Sequence, residues 1–231
     1  MTTHQPLIAP PRLLVCHLSK WLGAWPPCGR LQIVGSEARE RPGWDGNVHA
    51  LVGVGNPQGT VLSVPSAAVE AVRTLGDDLG SAAFGAGLAA ALRRPGAVFG
   101  RGVLRWADAV ADLGEPGVWL PVSDPRVPEW LRPFNGDVLV LLDADGRYAA
   151  GVGRKLHDEF GHELAVGTEP GMRGRGLAQR LVAQATRRVL ADGAVPTYLH
   201  DPSNAASARV AEAAGFADRG WSVYGLWDPP A

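Results

Sequence analysis

The sequence predicts an α/β protein of the mixed α+β type, with a central β-sheet flanked by helices and a smaller α/β region ahead of it. Two observations support this class. Short apolar runs of strand length alternate with segments of helical period, and 30 glycines and 19 prolines predict many turns. With 231 residues, 46% of them hydrophobic and 19% charged, the chain has ample material for a core and is not of disordered composition.

Charge and cysteine content narrow the partners and the compartment. A formal net charge of −1 gives no reason to expect a nucleic acid or an anionic membrane as partner. The apolar stretch 13–25 contains His17 and Lys20, is too short to span a bilayer and lacks a signal-peptide cleavage pattern. Cys16 and Cys28 fit no zinc-site spacing, so we expect reduced thiols, no metal and a cytoplasmic protein.

The first half of the chain is predicted to form a small α/β unit. Residues 1–30 show no sustained period, whereas GRLQIVG predicts a first strand. Residues 49–64 predict two strands joined by an Asn-Pro-Gln-Gly turn. Ser66 is expected to cap a helix through AAVEAVRTL, a second helix is expected over 87–94 before Pro95, and AVFGRGVLRWA predicts a further strand.

The tetrapeptide GEPG, residues 114–117, is the predicted boundary between two parts of the chain. We therefore expect an N-terminal extension over 1–30, an accessory α/β region over 31–114 and a second domain over 115–231. The accessory region carries no chemical signature of its own.

Beyond the boundary the predicted elements follow one another closely. VWLPV predicts a strand, and DPRVPEWLRPF predicts a helix capped by Asp124. DVLVLLD, residues 147–156 and HELAVGT predict three more strands. Residues 176–191 predict an amphipathic helix, PTYLH a strand, residues 203–214 a short helix ended by Gly215, and SVYGLW the last strand.

The run EPGMRGRGLAQRL joins a predicted strand to a predicted helix and combines three glycines with three arginines. At such a junction backbone N–H groups are unpaired, the helix dipole favours an anion, and glycines let a phosphate approach the backbone. A diphosphate is the ligand that this arrangement predicts. The run lacks the Gly-Lys-Ser/Thr end of the Walker pattern and the third glycine of the dinucleotide fingerprint. Without aromatic interleaving or net positive charge, it does not favour a nucleic-acid module.

Two motifs resemble one known family. Residues 173–178, RGRGLA, fit the R-x-x-G-x-A form of the Q/R-x-x-G-x-G/A signature of the GCN5-related N-acetyltransferases, the GNAT superfamily. NAASARVAEAAGF, residues 204–216, resembles the family's second motif, N-x-x-[AS]-x-x-[LV]-x-x-x-x-G-F, and LAVGTEP resembles its fourth strand. The resemblance covers residues 137–227 and implies a GNAT fold for the second domain. The accessory region could be a degenerate second acetyltransferase-like half, or could form the face of a homodimer.

The resemblance implies an acyl-CoA-dependent N-acyltransferase that moves an acetyl group from acetyl-CoA, as co-substrate, to an amine in a ternary complex. The acceptor would be a small-molecule or peptide amine. Backbone amides of the glycine-rich turn would hold the pyrophosphate, and the strand before it would pair with the pantetheine arm. Asn204 would bind that arm or fix a loop, unless it only starts a helix. The implied coenzyme-binding residues are Val166, Thr168, Arg173, Gly174, Arg175, Gly176, Leu177, Ala178, Asn204 and Ser207.

Acetyl transfer also needs a group that takes the proton of the amine. The candidates are His157, Asp158, His162 and Glu163, just ahead of the coenzyme turn. Strand alternation puts His162 and Glu163 on opposite faces, and we favour Glu163 because several family members keep a base carboxylate at this strand start.

The departing thiolate needs a proton donor, and here the sequence departs from the family pattern. Ala211 stands where the family often has a tyrosine. Tyr198, His200, Ser207 and Tyr224 are candidate replacements, and solvent is another. Ala211 also favours an alternative function, a non-catalytic acyl-CoA-binding sensor or structural domain. The predicted catalytic residues are Glu163, His200 and Tyr198.

Overall fold

The computed structural model describes residues 9–227, which form a ten-stranded mixed sheet with flanking helices. The strands are β1 (Leu31–Gly35), β2 (Val52–Asn56), β3 (Gly59–Val64), β4 (Val98–Trp106), β5 (Val118–Leu120), β6 (Val138–Leu142), β7 (Tyr148–Leu156), β8 (Gly161–Thr168), β9 (Val195–His200) and β10 (Trp221–Trp227). The helices are α1 (Arg12–Leu22), α2 (Val69–Arg73), α3 (Ala82–Ala91), α4 (Leu177–Ala191) and α5 (Ala205–Ala213). One-turn 3₁₀ helices cover Glu37–Arg39, Ser66–Ala68, Glu129–Leu131 and Pro170–Met172.

The sheet runs in the order β1-β3-β2-β10-β4-β9-β8-β7-β6-β5. β1 and β3 pair in parallel, as do β8 and β9, and the other neighbouring strands pair antiparallel. The two halves of the chain exchange strands: β4, from the first half, lies between β9 and β10, and β10 pairs in turn with β2. Strands from before and after residues 114–117 therefore belong to one continuous sheet. The division into an accessory region and a second domain stays a prediction.

The helix after the glycine-rich turn packs as its period predicts. Leu181, Ala185 and Val189 on α4 are fully buried, in a core cluster with Leu164 of β8 and Phe216 beyond α5. The end of α5 is also as predicted. Gly215 has a φ of +98°, and the Phe216 N–H donates to the carbonyl of Ala211, so the chain reverses in a Schellman turn.

Residues 1–30, for which the sequence showed no sustained period, contain α1. Leu14, Leu18 and Leu22 recur at intervals of four and are completely buried against β2, β3 and β10. Flanking prolines obscured this short period in the sequence. Within residues 9–227 no helix has the length and apolarity needed to cross a bilayer.

Three predicted helix positions also need correction. The helix over residues 124–134 is absent: a single 3₁₀ turn forms there, since prolines interrupt the run, and Asp124 accepts from the Arg126 N–H in a local turn. Ser66 caps nothing, and the α-helix after it, α2, has only five residues. α3 begins five residues before the predicted start, where the Ser81 hydroxyl accepts from the Phe84 N–H.

Candidate active site

β8 and β9 are paired for only part of their length. They pair in parallel from Gly161–Val195 to Leu164–Tyr198, after which they separate. Residues 165–168 stay bonded to β7 on one side, whereas the end of β9 bonds to β4. The edge of β8 that faces β9 is therefore open over these residues, which include Val166 and Thr168. An extended ligand can add to such an edge as a further strand does.

The glycine-rich turn lies at the far end of this open edge. Gly174 and Gly176 have φ values of +77° and +70°, and Gly176 is the N-cap of α4. Among the described residues, none accepts from the backbone N–H of Gly174, Arg175 or Gly176. The first N–H groups of α4 lack intrahelical partners as well. The turn therefore presents a row of free donors at the positive end of a helix, which suits an anion.

The arginines around the turn have different surroundings. Arg173 and Arg175 are exposed, and Arg173 Nε donates to the carbonyl of Thr168 at 3.3 Å. Arg180 Nε donates to the carbonyl of Leu113 at 3.2 Å. Arg175 is thus exposed and available to contact a ligand. Arg173 links the turn to the end of β8 by its hydrogen bond.

A cleft of about 480 Å³ lies where the two strands begin to separate. Glu163 lines it, one residue before the last β8–β9 pair, together with Lys155, its cross-strand partner on β7. Lys155 Nζ donates to one Glu163 carboxylate oxygen, and His157 Nε2 lies 3.2 Å from the other. The carboxylate can only accept, so His157 carries its hydrogen on Nε2 here.

This arrangement keeps Glu163 ionised. Burial raises the pKa of the carboxyl, but the His157 hydrogen bond and the charge of Lys155 outweigh it and lower the pKa to about 2. His162 lies on the opposite face, as strand alternation predicts: burial lowers its pKa, and its Nδ1 has no partner among the described residues. The cleft therefore receives Glu163 and His157, not His162.

Glycine-rich turns of this kind occur in several kinds of protein, and a comparison with family models distinguishes between them. Residues 106–216 match the Acetyltransferase (GNAT) family. This segment has the GNAT fold. The match spans β5 to β9, the glycine-rich turn and α5, and ends at Phe216.

Solved structures give looser likenesses. A structure described as a GNAT-family acetyltransferase from Novosphingobium aromaticivorans is 27% identical over 59% of this chain and 69% of its own, with a TM-score of 0.49. A GNAT-family acetyltransferase from Colwellia psychrerythraea is 16% identical over 61% of each chain, with a TM-score of 0.44. A GCN5-related N-acetyltransferase-like protein from Streptococcus suis is 17% identical over 63% and 68%, with a TM-score of 0.45. No curated protein matches the chain.

GNAT acetyltransferases use acetyl-CoA as co-substrate, and the turn fits its pyrophosphate. A Cβ added to Gly174 would meet no atom within 4 Å, and one on Gly176 would meet only the Gln179 side chain. The space beside the turn is thus open, while the positive φ of both residues disfavours any side chain there. Within residues 9–227 no cluster of His, Cys, Asp or Glu side chains is arranged to hold a metal ion.

The second motif forms a hydrogen-bonded corner between α5 and β9. Asn204 is the N-cap of α5, and its Oδ1 accepts from the Ser207 N–H at 2.9 Å. The Ser207 hydroxyl lies 2.9 Å from the hydroxyl of Tyr198, which is buried. Burial raises the pKa of Tyr198. Asn204 therefore acts as a helix cap in the structure, with its amide nitrogen left for a ligand, and Ala211 is buried in the core behind this corner.

His200 has both ring nitrogens engaged. Arg105 Nε donates to His200 Nε2 at 3.1 Å, and His200 Nδ1 lies 2.9 Å from the carbonyl of Asp201, to which it must donate. This fixes a neutral ring with its hydrogen on Nδ1. The same Arg105 donates to the carbonyl of Phe216 and lies 3.3 Å from Asp218. In this geometry His200 has no free basic nitrogen.

Several residues of the cleft were not identified from the sequence. Trp21, Arg39 and Trp44 line it from the first half of the chain, and Lys155 from β7. The hairpin register pairs Lys155 with Glu163, so that partner could have been found from the two predicted strands and their short turn. The other three could not, because no local pattern places α1 and the segment before β2 against β8. Tyr224 also lines the cleft and stacks on Phe99.

Proposed function

We propose that the protein transfers an acetyl group from acetyl-CoA to a primary amine by direct attack in a ternary complex. One observation supports this above the others: the open edge of β8 begins beside the Glu163 carboxylate and ends at the free N–H groups of the glycine-rich turn. A ligand with an anionic end and an extended arm would be bound along one side of that edge. An amine in the cleft would lie at its other end.

In this proposal the coenzyme is held mainly by backbone. The N–H groups of residues 174–178, with Arg175, bind the pyrophosphate, and the open edge of β8 at Val166 and Thr168 pairs with the arm. Asn204 offers its amide to the same arm. Acetyl-CoA supplies the activated acetyl thioester, and the chain orients it so that the amine attacks from the cleft.

The amine proton is taken by His157 in our proposal, with Glu163 positioning it. A carboxyl with a pKa of about 2 is a weak base, and both of its oxygens already accept hydrogen bonds. His157 faces it with Nε2–H, which leaves Nδ1 as the basic atom, and a nearby carboxylate stabilises the imidazolium that forms. We assign protonation of the departing thiolate to the Tyr198–Ser207 hydroxyl pair, since His200 is engaged on both nitrogens.

A second candidate function, a non-catalytic acyl-CoA sensor, is favoured by the buried Ala211 and by the engagement of Glu163 with Lys155. Release of free thiol from acetyl-CoA across a panel of amines separates the two functions. The acetyltransferase predicts amine-dependent thiol release that His157→Ala abolishes while acetyl-CoA affinity is kept. Tight binding of acetyl-CoA with no turnover on any amine would support the sensor instead.

A further inference from the structure

The cleft beside Glu163 contains a buried arginine without a carboxylate partner. Arg39 is only 4% exposed, and it lines the cleft from the 3₁₀ turn before β2. Its guanidinium donates to the carbonyl of Trp21 at 2.9 Å and to that of His49 at 3.3 Å. Its Nε has no partner, and within residues 9–227 no carboxylate lies at ion-pair distance from it.

A buried cation that is unpaired is costly to keep. Burial lowers the pKa of Arg39 to about 10, so the side chain is still charged at neutral pH. Two carbonyl partners satisfy part of the guanidinium, which has five N–H donors in all. Donors therefore remain for an anion that enters the cleft.

The other charges of the cleft do not neutralise Arg39. Its lining contains four basic side chains and two carboxylates. Of the two carboxylates, Asp158 accepts from His17 at 2.8 Å and Glu163 accepts from Lys155 and His157. The remaining basic residues, Lys20 and Arg41, are exposed and pair with Glu159 and Glu37 outside the lining. Among the described residues, Arg39 is thus the basic side chain of this lining that has no carboxylate partner.

The walls of the cleft are largely apolar. Tryptophan side chains from three parts of the chain line it, together with aliphatic side chains. The apolar lining residues include Trp21, Trp44, Leu51, Leu199, Tyr224 and Trp227. Such a lining suits a ligand of small-molecule size with an apolar body and a few polar groups at fixed points.

We propose that the acceptor is a primary amine that also carries a carboxylate on an apolar body, and that Arg39 binds the carboxylate. This rests on the proposed function, because it assigns the acceptor of the same cleft. The amine lies at Glu163 and His157, and the aromatic walls hold the body. A polycationic acceptor is disfavoured, since its further ammonium groups would face Arg39 and Lys155.

Matched acceptors test this directly. Phenylalanine is compared with phenethylamine, para-aminomethylbenzoate with benzylamine, and 6-aminocaproate with pentylamine, so each pair differs by the carboxylate alone, at different distances from the amine. Thiol release with acetyl-CoA gives kcat/KM for every acceptor. In at least one pair the carboxylated member should be better by roughly 10-fold or more, as a charge-assisted hydrogen bond provides. Equal or better use of the uncharged member in all pairs overturns the proposal.

Variants assign the preference to one side chain. Arg39→Gln should bring that ratio to within about 3-fold of unity, and the ratio within each pair is the readout because it cancels any change common to both members. Arg41→Gln, an exposed arginine of the same cleft, is the matched control and should keep the ratio. An unchanged ratio in folded Arg39→Gln overturns the role of Arg39. If Arg39→Gln does not fold, the kcat/KM ratio of the carboxylated to the uncharged member is compared between the unaltered protein and Arg39→Lys to test the role of Arg39.

Failure of the proposed function gives a different result. If no amine releases thiol, the acetyltransferase proposal fails. Calorimetric titration of the same acceptor pairs into the acetyl-CoA-saturated protein then tests the carboxylate preference by itself. Tighter binding of a carboxylated member that is lost in Arg39→Gln supports Arg39 as its site, and equal binding within every pair overturns it.

Discussion

His157 donates from Nε2 to the carboxylate of Glu163 across 3.2 Å, within the wall of a cleft shared by both halves of the chain. The ring of His157 also packs on Trp21 of α1, with centroids 4.8 Å apart. One turn earlier on α1, His17 donates to Asp158, whose carboxylate also accepts from two backbone N–H groups of the β7–β8 turn. α1 therefore fixes the hairpin that carries the proposed base.

Replacing Glu163 should destabilise the protein in a pH-dependent way. The folded-state pKa of Glu163 is about 2, below the ordinary value of 4.5, so its stabilisation is present above pH 4.5 and is lost as the pH falls towards 2. At pH 7 Glu163→Gln should lower the free energy of unfolding by about 3 kcal/mol, and the difference from the unaltered protein should close in acid.

Urea denaturation across this pH range measures the effect of Glu163→Gln. The control is Glu129→Gln, whose carboxylate is fully in solvent and pairs with Arg132 at 3.5 Å. It should change stability by no more than about 0.5 kcal/mol. A Glu163→Gln difference that stays constant down to pH 2 would show that the carboxylate is not held ionised by its neighbours.

Removing the core contact of α1 should destabilise the fold. Leu18 is completely buried, whereas Leu13 on the same helix is 36% exposed. Leu18→Ala should cost roughly 2–5 kcal/mol in the free energy of unfolding, and Leu13→Ala less than about 0.5 kcal/mol. Equal effects of the two substitutions in chemical denaturation would mean that α1 does not pack by the face that carries Leu14, Leu18 and Leu22.

The tautomer of His200 is a further test of the site geometry. Nitrogen NMR should show hydrogen on Nδ1 and a lone pair on Nε2, because Arg105 donates to the latter. Arg105→Met should free Nε2 and cost roughly 2 kcal/mol of stability, since the Phe216 carbonyl also loses its donor.

The control for Arg105 lies on the same strand. Arg101 is exposed and donates to the Ser222 hydroxyl at 2.9 Å, so Arg101→Met should change stability by less than about 1 kcal/mol and leave the His200 signals in place. A signal for hydrogen on Nε2 of His200 in the unaltered protein would contradict the neutral tautomer, and His200 would return as a candidate proton acceptor.

Local sequence signals predicted most of the elements that build the proposed coenzyme-binding part of the site. The strand, turn and helix around Gly176 follow from short-range physics: positive φ at the glycines, free donors at a helix start and an amphipathic period. The Asn204 cap and the Gly215 turn are equally local. These features need no knowledge of distant parts of the chain, and the structure contains all of them.

The acceptor side could not be predicted in the same way. The cleft forms because β4 and β10 interleave the two halves of the sheet and bring Arg39 and Trp21 to Glu163. Such long-range pairing leaves no periodic trace in one sequence. The ion pair of Glu163 is local by contrast, because Lys155 and His157 lie in the same hairpin and its register places Lys155 opposite Glu163. The homodimer face and the cytoplasmic location stay predictions.

Binding of acetyl-CoA to the glycine-rich turn is the measurement closest to the central claim. Calorimetry is done on the unaltered protein, on Gly176→Glu and on Gly193→Glu, which places the same side chain at the other end of α4. Both glycines have φ near +70° to +80°, so the backbone strain is matched. We predict that Gly176→Glu weakens acetyl-CoA binding by roughly 10- to 100-fold and that Gly193→Glu does not. Equal affinities in the two folded variants would contradict the turn as the pyrophosphate site.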